Sequence, residues 1–197
     1  MTRRALLLLA PALLLAGCAS LNQVGAEVSS FGEWPAGRAG GTYAFERLPS
    51  QQQAGSRAAQ LEALAAPALA KAGFQPAPAG AAPDVIVAIG SRVSRTDAAP
   101  WDDPLWVRWH APLRAYRYGL YPARPWGSSF PPEPRYDREV ALLLRDRASG
   151  QALYEARASN DGATMGSEAL VGALFQAAMS DFPRADPKPH WVRVPLP

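Results

Sequence analysis

The stretch EVALLLRDRASGQALYEARA, residues 139–158, constrains the fold more than any other. Glu139–Arg145 and Ala152–Ala158 read as strands, and Asp146-Arg147-Ala148-Ser149-Gly150 between them is a short loop with a late glycine. That pattern closes an antiparallel hairpin. A lone hairpin is marginal in water, so the chain must supply further strands and helices to cover its apolar side.

The rest of the chain supplies them. Val24, Ala26 and Val28 alternate with Gly25, Glu27 and Ser29, the period of a half-buried strand. Phe31 to Gly41 is a connection punctuated by glycine and proline, and Thr42-Tyr43-Ala44-Phe45-Glu46 reads as a second strand. Leu61, Leu64, Ala65, Ala68, Leu69 and Ala72 lie on one helical stripe, with Gly73 as its stop. Pro67 inside that stripe predicts a kink or split near Ala66, because its ring removes one backbone hydrogen bond. Phe74-Gln75 opens a short strand, and Asp84 to Ile89 is a strong one whose alternation extends towards Arg95. After the hairpin, Asn160-Asp161-Gly162 predicts a turn. Thr164 or Ser167 then caps a helix running to about Asp181. His190 to Val194 alternates once, and the prolines around it suit a sheet edge. The expected fold is α+β: a two-layer sandwich with a mostly antiparallel sheet of five to six strands and two amphipathic helices on one face. The other face is left wet or covered by the long loop.

The N-terminus concerns location rather than fold. Met1–Arg4 is short and basic, and Ala5–Ala16 is apolar throughout. Twelve residues are too few to span a bilayer but suit a signal segment. Leu15-Ala16-Gly17-Cys18 resembles the bacterial lipobox, which implies cleavage between Gly17 and Cys18 and lipidation of the Cys18 sulfur. Cys18 is the chain's one cysteine, so no disulfide forms within it. Ala19 follows it; by resemblance to proteobacterial lipoproteins this favours the periplasmic face of the outer membrane over the inner membrane or the cell surface. The expected organisation is a signal peptide at 1–17, a tether at 18–23 and one domain at 24–197. The formal charge is +3, and removing Arg3 and Arg4 with the signal leaves +1. A nearly neutral chain has no field that gathers nucleic acid.

Residues 97–134 have no periodicity and hold eight of the twenty prolines. Trp101, Trp106, Trp109, Tyr116, Tyr118, Tyr121 and Trp126 are interleaved with Arg108, Arg114 and His110. Disordered segments are poor in aromatics, so the composition predicts an ordered excursion. Aromatic and arginine side chains dominate binding hot spots, which makes this the candidate binding loop for an envelope protein, glycan or lipid. The alternative is that its rings fold back onto the sheet.

The segments GTYAFERLP (41–49), LAKAGF (69–74), PDVIVAI (83–89), the 139–158 hairpin and SDFP (180–183) follow the lipobox in order. The ordered set resembles the bacterial lipoprotein family built on domain of unknown function 4136. The resemblance implies an envelope lipoprotein with an α+β domain. It carries over no functional residue except Cys18.

Reactive constellations are thin. His110 and His190 are the two histidines, too few with Cys18 committed for a zinc site, so neither metal nor cofactor is expected. No G-x-S-x-G elbow occurs, and Ser167 reads as a helix cap. Spacing leaves open a triad using His110 or His190, or paired carboxylates from Asp102, Asp103, Glu133 and Asp137. The expected role is therefore a non-enzymatic binding module. The alternatives are a hydrolase of envelope polymers using His110 with a loop carboxylate, and a carrier of an apolar ligand in an internal pocket.

Overall fold

The computed structural model describes residues 22–53, 55–97 and 134–196. Its strands are β1 (Gln23–Phe31), β2 (Gly41–Phe45), β3 (Phe74–Pro76), β4 (Val85–Asp97), β5 (Pro134–Asp146), β6 (Ala152–Gly162) and β7 (His190–Pro195). The helices are α1 (Arg57–Lys71) and α2 (Glu168–Ala178). One mostly antiparallel sheet runs in the order β3-β2-β4-β5-β6-β1-β7. β1 pairs antiparallel with both β6 and β7, while β2 lies parallel to β3 and β4. The fold is the expected α+β sandwich. The sheet reaches seven strands because both marginal segments, Phe74–Pro76 and the tail, join its edges.

By compactness the chain divides into two units. Among the described residues, the larger takes in those of 22–92, 138–160 and 166–196. In it the alternation of each strand sorts the side chains. Val24, Ala26 and Val28 of β1, Val85 and Val87 of β4, Val140, Leu142 and Leu144 of β5 and Ala156 and Ala158 of β6 are buried. They share the core with Ala65, Ala68 and Leu69 of α1 and Leu170, Ala173, Leu174 and Ala177 of α2. An aromatic cluster closes one part of that core. Phe182 stands 4.9 Å from Trp34, 5.2 Å from Phe74 and 5.3 Å from Tyr154, ring centre to ring centre. The described residues of the smaller unit are 93–97, 134–137 and 161–165. Among them Arg135 pairs with Asp161, and Thr96 Oγ1 donates to Asp137 at 3.4 Å.

Helix α1 starts where Ser56 Oγ accepts the Ala59 N–H at 3.3 Å. It ends where Gly73, at φ 90°, takes the left-handed conformation that other residues resist. Gly40 is required nearby: a Cβ there would overlap the Gly73 carbonyl. The helix is not split at Pro67 but runs through it to Lys71. Ala65, Ala68 and Leu69 on either side are almost fully buried, and this packing outweighs one missing hydrogen bond. Ser167, not Thr164, caps α2, accepting the Leu170 N–H at 3.2 Å. The turn expected at Asn160–Gly162 is strand instead. The Asn160 amide donates to the Gly25 carbonyl at 2.7 Å, tying β6 to β1 rather than bending the chain.

Candidate functional site

Cys18, Gly17 and the whole candidate loop from Trp101 to Trp126, His110 included, lie outside the described residues. Three surfaces of the larger unit remain to be weighed.

The first is the sheet face turned away from the helices. Ile86, Ala88, Ala141 and Leu143 lie half-buried along its middle strands. Paired charges rim them: Arg92 with Glu139 at 2.7 Å, Arg145 with Glu46, and Arg157 with Glu155 at 2.8 Å. On the same face, near the β7 edge, Phe31 is 43% and Trp191 is 66% exposed, far above what a buried ring shows. The Trp191 ring lies against Gly25, within 3.4 Å of where a Cβ would stand. Among the described residues no helix packs on this face. An apolar strip with a polar, ion-paired rim is the composition of a contact surface.

The second is an open groove of about 340 Å3 where the first turns of α1 and α2 meet β4. Leu61, Leu64 and Val171 form its floor, with Arg57, Gln60, Ser91 and Glu168 around them. It opens to solvent and is not an internal pocket.

The third surrounds His190. Nδ1 lies 3.1 Å from the Lys188 carbonyl and Nε2 lies 3.2 Å from Asp181 Oδ1. Both partners are acceptors, so the full pair of bonds needs the doubly protonated ring. The Lys188 carbonyl first, with Asp181 and Asp186 adding to it, raises the His190 pKa above its ordinary value. The stabilisation this gives is complete below about pH 6.5 and is lost as pH rises through the raised value. The fully buried Ser30 donates to the other Asp181 oxygen at 3.1 Å and accepts the Asp186 N–H at 2.9 Å. The order is serine, aspartate, histidine. A nucleophilic triad needs the histidine in the middle, with a ring nitrogen free to accept the serine proton. Here Asp181 is the centre, and the cluster pins the 181–190 segment to β1. Beside it, burial pushes the Tyr154 hydroxyl up to about 12, opposed in part by the neighbouring Ser30 hydroxyl.

Periodicity has no means of finding this cluster, since its members come from β1, the turn after α2 and the β7 entry. Trp34 was hidden likewise within a glycine- and proline-rich connection. Its Nε1 donates to the Arg38 carbonyl at 2.9 Å, and the Arg38 guanidinium sits 5.3 Å over its ring. Arg38 also donates to Asp146 Oδ1 at 2.9 Å and to the Asp84 carbonyl at 3.2 Å. Among the described residues no three His, Cys, Asp or Glu side chains gather as a metal site, and no helix is long and apolar enough to cross a membrane.

These features define a two-layer α+β domain with helices on one sheet face and an ion-paired, partly apolar surface on the other. The chain belongs to the family described as domain of unknown function (DUF4136), which it matches over residues 27–184. Comparison with curated proteins gives no match. Among solved structures it is similar to a PDZ domain protein from Parabacteroides distasonis, at 12% identity and a TM-score of 0.53. The match covers 88% of this chain but 39% of that one, so the chain spans about two fifths of that protein's length. It is also similar to the PelC dodecamer from Paraburkholderia phytofirmans, at 14% identity and a TM-score of 0.43, covering 79% of this chain and 95% of that one. At such identities the first likeness speaks to the fold alone, and the second carries no argument.

Proposed function

We propose that this chain is a lipoprotein of the bacterial envelope that acts as a non-enzymatic binding module. Cys18 carries the anchor, on the periplasmic face of the outer membrane. The observation that supports a binding role is the helix-free sheet face, where Ile86, Ala88, Ala141 and Leu143 lie between the ion pairs of Arg92, Arg145 and Arg157. Such a face with exposed Phe31 and Trp191 suits a protein, glycan or lipid partner of the envelope, with the aromatic loop at 101–130 as a second contact.

Photo-crosslinking in cells tests this reading. A crosslinking residue at Leu143 or Trp106 should capture a discrete envelope component, and one at the buried Leu144 should not. Equal labelling at all three, or none at Leu143 and Trp106, overturns it. The anchor is tested separately. Cys18→Ser should leave the chain unprocessed or release it from the membrane fraction, and unchanged fractionation argues against lipidation.

A further inference from the structure

Strand β7 is the outermost strand on its side of the described sheet. Leu196 N–H donates to the Asn22 carbonyl at 2.9 Å, and Val24 stands opposite Val194. In an antiparallel ladder hydrogen-bonded pairs recur at every second residue, so His190, Val192 and Val194 turn their backbone groups towards β1. The neighbouring contacts agree with this phase: Ser30 N–H points to the β7 side, reaching the Asp186 carbonyl, and the Gly25 carbonyl points to the β6 side, reaching Asn160. Trp191, Arg193 and Pro195 therefore turn their backbone groups outward, and no described strand lies beyond them. Pro195 and, just before the strand, Pro189 carry no N–H. The outward ladder is thus a window of two donors, Trp191 and Arg193, with a proline at each end.

We propose that β7 pairs antiparallel with β7 of a second copy of this chain, on a two-fold axis through Val192. In that register Trp191 of each copy faces Arg193 of the other. The two pairs exchange four backbone hydrogen bonds and satisfy every free group in the window. Pro189 falls opposite Pro195, so no donor is left without an acceptor at either end. Side chains follow the same symmetry. Trp191 and Arg193 share the helix-free face, so each exposed indole meets the other copy's guanidinium, a favourable cation–π contact made twice. An isologous interface requires this kind of self-complementarity, and the flanking prolines stop the pairing from sliding into other registers. The interface does not need the anchor, but it shares the exposed Trp191 with the face proposed above for a partner. With only two residues of ladder per copy it is small, so association is concentration-dependent.

Sedimentation of the full chain in mild detergent should show a monomer–dimer equilibrium. Arg193→Pro should abolish it with little change in melting, because the N–H it removes points away from β1. Register is read by a single thiol in a Cys18→Ser background. Val192→Cys puts two thiols opposite each other on the axis, within disulfide reach, and should give a crosslinked dimer. Arg193→Cys puts its thiol opposite Trp191 and should crosslink poorly. A chain that stays monomeric at every concentration, a dimer that survives Arg193→Pro, or equal crosslinking at both positions would overturn the proposal.

Discussion

The two faces of the sheet are made from the same strands, residue by residue in alternation, yet they are held by different physics. On the helix side Val85, Val87, Val140, Leu142 and Leu144 are at most 3% exposed. On the other side Ile86, Ala88, Ala141 and Leu143 are only half-buried, and the charges among them are paired along the surface. A two-residue period decides which side chain belongs to which face. What covers each face decides how much that side chain contributes.

Leu143 and Leu144 are the sharpest pair for testing this. Leu144→Ala should cost about 3 kcal/mol in urea unfolding, because it opens a cavity in a packed core. Leu143→Ala should cost less than about 1 kcal/mol. Similar losses at the two positions would mean that both faces are equally sealed. Tyr154→Phe should be neutral or raise stability by about 1 kcal/mol, since the hydroxyl it deletes is buried and makes no well-formed hydrogen bond among the described residues. A clear loss would reveal a bond to that hydroxyl.

The polar surroundings should respond to pH instead. The Asp146 carboxyl is held down to about 2, chiefly by the Ser149 N–H and then by Arg38. Its contribution is complete above the ordinary carboxylate range, at roughly pH 4, and is lost as pH falls through about 2. Asp146→Asn should therefore flatten the acid limb of a melting profile and leave the alkaline limb unchanged. The smallest effect is expected at the rim. A double-mutant cycle on Arg92 and Glu139 should give a coupling of about 0.5 kcal/mol that fades in high salt.

What could be read from the sequence follows from the range of the signal. The 139–158 hairpin, the alternation in β1 and the stripe of α1 are local patterns, and each forms where its period places it. Ser167 was legible as a cap because capping acts over three residues. The split at Pro67 and the Asn160 turn failed as expectations because local chemistry was overruled by distant partners, the packed core in one case and the Gly25 carbonyl in the other. Trp34, Phe74, Tyr154 and Phe182 meet across about 150 residues of chain, and no window along the sequence registers such a meeting. For the proposed binding loop, the residue types that suggest it in the sequence, Trp101 through Trp126, lie outside the described residues. The face that the structure does present is built from Ala, Leu and Ile side chains that look like ordinary strand residues.

Arg38 fastens three connections with one side chain: its own loop through Trp34, the entry to β4 through the Asp84 carbonyl, and the β5–β6 loop through Asp146. These connections are far apart in the chain but share one latch. In hydrogen–deuterium exchange and limited proteolysis they should therefore open as a single event, and Arg38→Ala should expose all three to a protease at once while the strands stay protected.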